Sequence, residues 1–254
     1  MTSMSLAAAF WLGLHFIVAG PLRSALVAEL GERYFFGIFS LLSIAGLVWF
    51  VVAYRVAPFV PLWPTIPALG WLVFALVFLG FLLLVLGSGP TNPTDTRGPR
   101  MIDSKLPVYG ITRVTRHPRL CGVSLWAIAH LLVNGQLAAL LMFGSLLVTT
   151  VNGMVSIDRK RRRALGALWH ELEKQTSRLP FAAIVTGRTR FELAEFRLWQ
   201  VALAVALFAG VFWLHGVVGP SPLFVLAGFP PAAQELTISN TVTMSPSTID
   251  QLTS

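Results

Sequence analysis

Cysteine and charge are what this chain has least of. One cysteine, Cys121, stands in 254 residues, which excludes an internal disulfide framework and any metal site built from cysteines. Asp, Glu, Lys and Arg together make up 12%, about half of what a soluble domain carries. Hydrophobic residues take 55%, and the mean hydropathy is +0.72. Such a chain cannot cover a water-facing surface and reads as an integral membrane protein. Acidic residues are scarcer than basic ones, 11 against 19. That excess would point to nucleic acid in a soluble protein. Here the cations fall between apolar runs, which is the positive-inside pattern, so nucleic acid is not an expected partner. The run Arg159-Lys160-Arg161-Arg162-Arg163 is matched instead to anionic lipid headgroups. The N-terminus also lacks a basic residue ahead of its first apolar stretch and a clear cleavage site, so that stretch is read as a retained span.

What the chain does contain is apolar runs. A span needs about 20 mainly apolar residues, and runs near 5–22, 34–56, 67–87, 119–133, 136–156 and 199–218 are candidates. The fold class expected is all-α, a polytopic bundle of about six spans. Asn134-Gly135 is a turn signal that makes the fourth and fifth runs a tight helical hairpin. Pro58, Pro61, Pro64 and Pro67 keep 57–67 out of a helix. Residues 157–177 carry Leu165, Leu168, Trp169 and Leu172 among charges at helical spacing, and read as one amphipathic helix on the inner face. Residues 1–225 form the transmembrane domain. Residues 226–254, rich in Ser and Thr toward the end, read as a flexible tail.

Arg97, Arg100, Lys105, Arg113 and Arg116 load the segment before the fourth run, with Arg119 just inside that run, and 157–198 is more basic still. Both belong on the cytoplasmic side. This orientation puts both termini outside the inner membrane of a bacterial cell.

Three of the five histidines sit in or near the ends of apolar runs: His15, His130 and His215. Trp11 precedes His15 by one turn, and Trp126 precedes His130 by one turn. Residues four apart share a helix face, so two spans carry the same W-x-x-x-H arrangement. Ala127 and Val123 beside His130 are small enough to leave room for a flat ligand. Histidines facing each other across a bundle suit axial ligation of a haem. The alternative is that each histidine bonds a carbonyl or hydroxyl on a neighbouring helix. An ionisable group inside a span is in either case a functional candidate.

His117 lies thirteen residues before His130, about 220° around the helix at 3.6 residues per turn, so the two cannot share a face. With Arg116 it is placed at the inner surface, as a polar site for headgroups or a polar ligand. Cys121 is nine residues before His130, about 180° away, and reads as a small buried residue. His170 and His215 read as a solvated surface group and an interfacial group.

The segment Arg116-His117-Pro118-Arg119-Leu120, with Gly122, Leu125-Trp126-Ala127, Ala129-His130-Leu131-Leu132 and Asn134-Gly135, resembles the signature of the NnrU family. So do Thr115, Asp158-Arg159, Ser177-Arg178-Leu179-Pro180-Phe181 and Leu214-His215. The resemblance covers about residues 4–225. Bacterial members look like inner-membrane proteins, several associated with denitrification and nitric-oxide metabolism. Plant relatives are 15-cis-zeta-carotene isomerases that use haem b. The resemblance implies haem b here, with His130 at a haem-ligating position and His15 as second ligand, Trp11, Trp126 and Ala127 alongside. It also implies a lipophilic polyene substrate reaching the protein from the bilayer, and names no redox partner. The plant enzymes carry a cysteine where Ala127 stands, so a change of ligand to thiolate is closed to that position. Two other functions stay open. One is a non-catalytic membrane factor supporting denitrification. The other is a membrane methyltransferase of the isoprenylcysteine and phospholipid type, whose R-H-P-x-(aromatic)-x-G motif is matched by Arg116-His117-Pro118 and Gly122, with Leu120 in place of the aromatic.

Overall fold

Most of the described residues are helical, because long apolar runs in a membrane must satisfy their own backbone polar groups. A computed structural model describes residues 1–64, 66–89, 92–94 and 108–218. Helix α1, Thr2–Gly13, runs on through a π-helical turn, Leu14–Val18. Gly20-Pro21 then breaks the chain, which bends by 76° into α2, Arg23–Leu30. Helix α3, Glu32–Arg55, begins with an acid and ends with a base, each complementing the helix dipole. Helix α4 is Gly70–Leu86. A single turn α5, Ile111–Val114, leads to α6, Pro118–Val133, whose proline occupies the first turn, where a missing N–H costs nothing. Helix α7 is Leu137–Leu165, α8 is Ala167–Gln175, α9 is Ala182–Val185 and α10 is Leu198–Val218.

Three of these, α3, α7 and α10, are long and apolar enough to cross a membrane, and a fourth span is added if α1 and α2 count as one bent pair. Helices α4 and α6, of 17 and 16 residues, are apolar but shorter. All six expected runs are helical. Among the described residues no strand forms; one antiparallel bridge joins Pro61 to Gln136.

That bridge belongs to a strap across one end of the bundle. The N–H groups of Leu62 and Trp63 both donate to the Gly135 carbonyl, and Leu137 N–H donates to Val60 O. A side chain at 135 would collide with the Trp63 carbonyl, so the tight turn between α6 and α7 requires glycine. The same logic fixes the α4–α6 contact. A Cβ on Gly122 would lie 2.7 Å from the Gly80 carbonyl oxygen, so the two backbones touch where both helices have glycine, as packed membrane helices do.

Helices α1, α3, α6 and α7 share one buried cluster, built on Met4, Ala7, Trp11, Phe50, Ala127 and Phe143. A second, around Leu83, Ile111, Cys121 and Met154, lies toward the other end of α4 and α6. Cys121 is buried, as expected. Helix α10 leans on α4, with the Phe208 ring edge-on to Phe74, Phe78 and Phe81.

The single amphipathic helix expected over 157–177 is two helices. Gly166 takes φ +52° and its N–H closes on Arg162 O, ending α7 as glycine commonly does. Trp169 and Leu172 then turn inward, fully buried against Val108, Leu165 and Leu168. The apolar periodicity was real, but its partner is the protein and not the lipid surface. Arg97, Arg100, Lys105 and the expected tail 226–254 lie outside the described residues.

Candidate functional site

The two W-x-x-x-H pairs are built alike. His15 Nδ1 lies 2.9 Å from Trp11 O, and His130 Nδ1 lies 2.8 Å from Trp126 O. A carbonyl only accepts, so in both rings Nδ1 carries the proton and donates. Each Nε2 is left with the lone pair, the form in which imidazole ligates a metal. The alternative weighed above, a bond to a neighbouring helix, is therefore replaced by a bond to each histidine's own helix. Each ring also lies against its tryptophan, at 4.2 Å for Trp11–His15 and 4.5 Å for Trp126–His130. His15 lies in the π-helical turn, a distortion that concentrates at functional sites.

Both tryptophans dock on α7. Trp11 Nε1 donates to Thr149 Oγ1 at 3.0 Å, and Trp126 packs edge-on to Phe143 at 5.1 Å. Beyond that the two histidines part. His15 meets Phe39 of α3. His130 stacks on Phe143 at 4.7 Å and faces His215 of α10, ring centroids 6.1 Å apart at 69°. His215, read from sequence as an interfacial group, is thus the histidine that stands beside His130. Ala127 is fully buried in the shared cluster, so its small side is filled by packing.

Arg116 and His117 stand elsewhere, and not at a surface open to headgroups. Arg116 is 6% exposed and His117 is fully buried. Their partner is Asp158 of α7, also fully buried. His117 Nε2 donates to its Oδ1 at 2.7 Å, and the Arg116 guanidinium reaches it with Nη2 at 2.8 Å and Nε at 3.1 Å. Arg178 is a third residue bonded to it, donating from Nε. Glu173 of α8 lies 3.5 Å from Arg116 and 2.7 Å from Arg162. Burial pushes the His117 imidazole below its ordinary value, against the pull of the Asp158 carboxylate. The ring is neutral with its proton on Nε2. Charging it would bury a second N–H at Nδ1, which meets no partner among the described residues.

A second ion pair pins the start of α10. Arg113 grips Glu195 with Nε and Nη2, both at 2.7 Å, and Gly110 N–H donates to the same carboxylate. The Arg113 guanidinium holds the Glu195 carboxyl below its usual range, against burial.

Sequence reasoning placed Arg116 and His117 at the right end of α6 but missed what they bond. Spacing cannot pair residues 41 or 42 positions apart. A signal was present, since Asp158 is the lone acid of α7 and heads the run Arg159 to Arg163. Nothing in the sequence pairs His215 with His130, because the contact joins two spans far apart in the chain.

Known proteins extend this picture. Over 116 residues the chain is 34% identical to the chloroplastic 15-cis-zeta-carotene isomerase of Zea mays, covering 44% of this chain and 31% of that protein. Over 109 residues it is 32% identical to the enzyme of the same name from Arabidopsis thaliana, covering 42% and 30%. The matched stretch thus spans about a third of each relative's length. No solved structure matches. The NnrU protein family matches residues 3–222, from α1 to just past α10, and takes in both W-x-x-x-H pairs and the Asp158 cluster. The chain belongs to the NnrU family.

Proposed function

We propose that this protein isomerises a cis double bond of a lipophilic polyene, as the names of its plant relatives indicate for them, and that it binds haem b within its helix bundle. The observation that carries the reading is the pair of histidines whose Nδ1–H groups are fixed by the carbonyls of Trp11 and Trp126. Each presents a lone-pair nitrogen among apolar side chains, a donor set that suits haem iron. By the family resemblance His130 stands at a ligand position, and His15 is the natural second ligand. Bound haem would supply an iron whose electronic state can ease rotation about a conjugated double bond. The chain's own part is to hold the tautomer, to exclude water and to orient. Trp11 and Trp126 brace the rings, Phe143 backs His130, and α7 ties both pairs together through Thr149 and Phe143.

The finer topology is part of the same reading. Helices α1, α3, α4, α6, α7 and α10 are the six spans of a bacterial inner-membrane protein, with the Asp158 end cytoplasmic and both termini outside. Anionic headgroups then meet the basic flank of α7. One observation favours a second function: Ala127, fully buried, offers no sulfur one turn before His130. A non-catalytic haem protein supporting nitric-oxide metabolism would need none.

The test is spectroscopic and then chemical. The protein purified in detergent is expected to show a Soret band and a reduced α-band typical of haem b. His130→Ala and His15→Ala are expected to alter them. Incubation with 15-cis-zeta-carotene is expected to yield the trans isomer on chromatography. A preparation from haem-sufficient cells without a Soret band sinks the haem reading, and unchanged spectra in both variants sink the ligand assignment. A loaded protein that leaves the polyene unchanged leaves the non-catalytic function standing.

A further inference from the structure

We infer that α2 lies in the plane of the membrane at the Asp158 end of the bundle, its leucines entering the edge of the hydrocarbon and Arg23, with Lys160 of α7, meeting the phosphates of anionic phospholipids. The inference rests on the membrane topology proposed above and is independent of haem.

Direction comes first. Helix α1 and its π-helical turn, Thr2–Val18, run about 25 Å at 1.5 Å per residue, close to the thickness of a hydrocarbon core. They cross without help from α2. The chain then bends by 76°, which turns α2 nearly at right angles to α1. This bend is built in. A side chain at Gly20 would collide with the Phe16 carbonyl, and Gly31 at the far end of α2 takes φ +79°, a value that favours glycine. Helix α3 returns antiparallel to α1, with Phe39 against His15 and Phe50 against Trp11. Both ends of α2 are thus joined to spans at one membrane face.

Composition comes second. Eight residues are too few for a helix to stand alone in water, and no residue of α2 is buried in the protein. Leu22, Leu26 and Leu30 follow one another at four-residue intervals and fall within about 80° of the helix circumference. Leu22 is 47% exposed and Leu30 42%. Arg23 and Glu29 border this stripe, while Ser24, Ala25 and Ala28 lie opposite. An apolar stripe edged by charges suits a helix lying in the interface. The membrane-surface role expected of residues 157–177 falls to α2 instead.

Charge comes third. Glu32 holds Arg23 at 2.9 Å, and the guanidinium lies over the Phe35 ring, 5.6 Å from its centroid. So held, Arg23 stands near enough to Lys160 for the two charges to repel. Lys160 is exposed, as are Arg159 and Arg163 beside it. An anion between α2 and α7 relieves that repulsion, and lipid phosphate is the anion a membrane surface supplies.

The experiment uses the full chain in a Cys121→Ser background, with one bimane label at Leu26→Cys, Ala28→Cys or Leu41→Cys. It is reconstituted in phosphatidylcholine vesicles with and without phosphatidylglycerol. The label at Leu26→Cys is expected to be quenched by spin-labelled lipid and spared by aqueous iodide. Ala28→Cys, about 200° round the helix, is expected to show the reverse. Leu41 of α3 is 69% exposed, and its label reports the span itself. No lipid quenching there overturns the topology along with the inference. Quenching at Leu41→Cys with equal responses at the two α2 positions overturns the inference alone. A Leu26→Cys label shielded from both quenchers also overturns it, since a second copy or another protein would then cover the stripe. Spin-labelled phosphatidylglycerol is expected to quench Leu26→Cys more than spin-labelled phosphatidylcholine does. Lys160→Gln is expected to lower that preference about fivefold, the worth of one cation at an anionic surface. A preference unchanged by Lys160→Gln overturns the headgroup contact.

Discussion

A single carboxylate organises one end of this protein. Asp158 accepts bonds from His117, Arg116 and Arg178, and it is fully buried. Removing one member of such a cluster leaves buried charge uncompensated, at a cost of about 3–5 kcal/mol. Asp158→Asn is therefore expected to lower the unfolding midpoint in a detergent titration strongly. Arg178, whose side chain is 40% exposed, is screened, and Arg178→Ala is expected to cost about 1 kcal/mol or less. Equal losses in the two variants would refute the view of Asp158 as the hub. His117 adds a pH dependence. Its folded-state value is lowered from 6.5 by burial. As pH falls below 6.5 the unfolded chain takes up a proton that the folded chain declines, so stability falls with falling pH. Unfolding midpoints between pH 7.5 and pH 5 are expected to decline in the wild type and to flatten in His117→Gln. A wild-type midpoint that rises toward pH 5 would show the ring to be charged in the fold.

At the scale of elements, glycine decides how closely two spans approach. Gly122→Ala drives a methyl against the Gly80 carbonyl and the Leu84 side chain, and overpacking of this kind costs about 1–3 kcal/mol. Gly37 of α3 has nothing within 4 Å of its would-be Cβ, so Gly37→Ala is expected to be neutral or mildly stabilising. Thermal stability of the two purified variants checks the contrast, and parity between them would mean that α4 and α6 do not touch there. The helices themselves were legible in sequence, because an apolar run announces itself by composition alone. Asn134-Gly135 and Pro118 marked boundaries that the structure keeps. Gly166 was overlooked as a stop, since Leu165, Leu168, Trp169 and Leu172 carry a helical period straight across it. The W-x-x-x-H pairs were legible for the same reason as the helices, being local. The Asp158 cluster and the His130–His215 contact were not, because each depends on which helices become neighbours. That choice is made by packing between segments distant in the chain.

For the whole molecule, the proposed orientation can be read directly, since the lone cysteine is buried. In a Cys121→Ser background, a cysteine at Phe59 is expected to react with a membrane-impermeant maleimide on intact cells. A cysteine at Gly187 is expected to react only after lysis. The reverse pattern would invert the bundle. This orientation gives the Asp158 cluster a meaning in time as well as in space. In the proposed orientation, before α6 and α7 have met, Arg116 and Arg178 would help to retain their segments in the cytoplasm. Once the bundle closes, both bond Asp158, and the buried Arg116 no longer faces the headgroups. The same arginines thus act first as an address and afterwards as a lock. An Asp158→Asn chain should accordingly reach the membrane the right way round and fail only at closure.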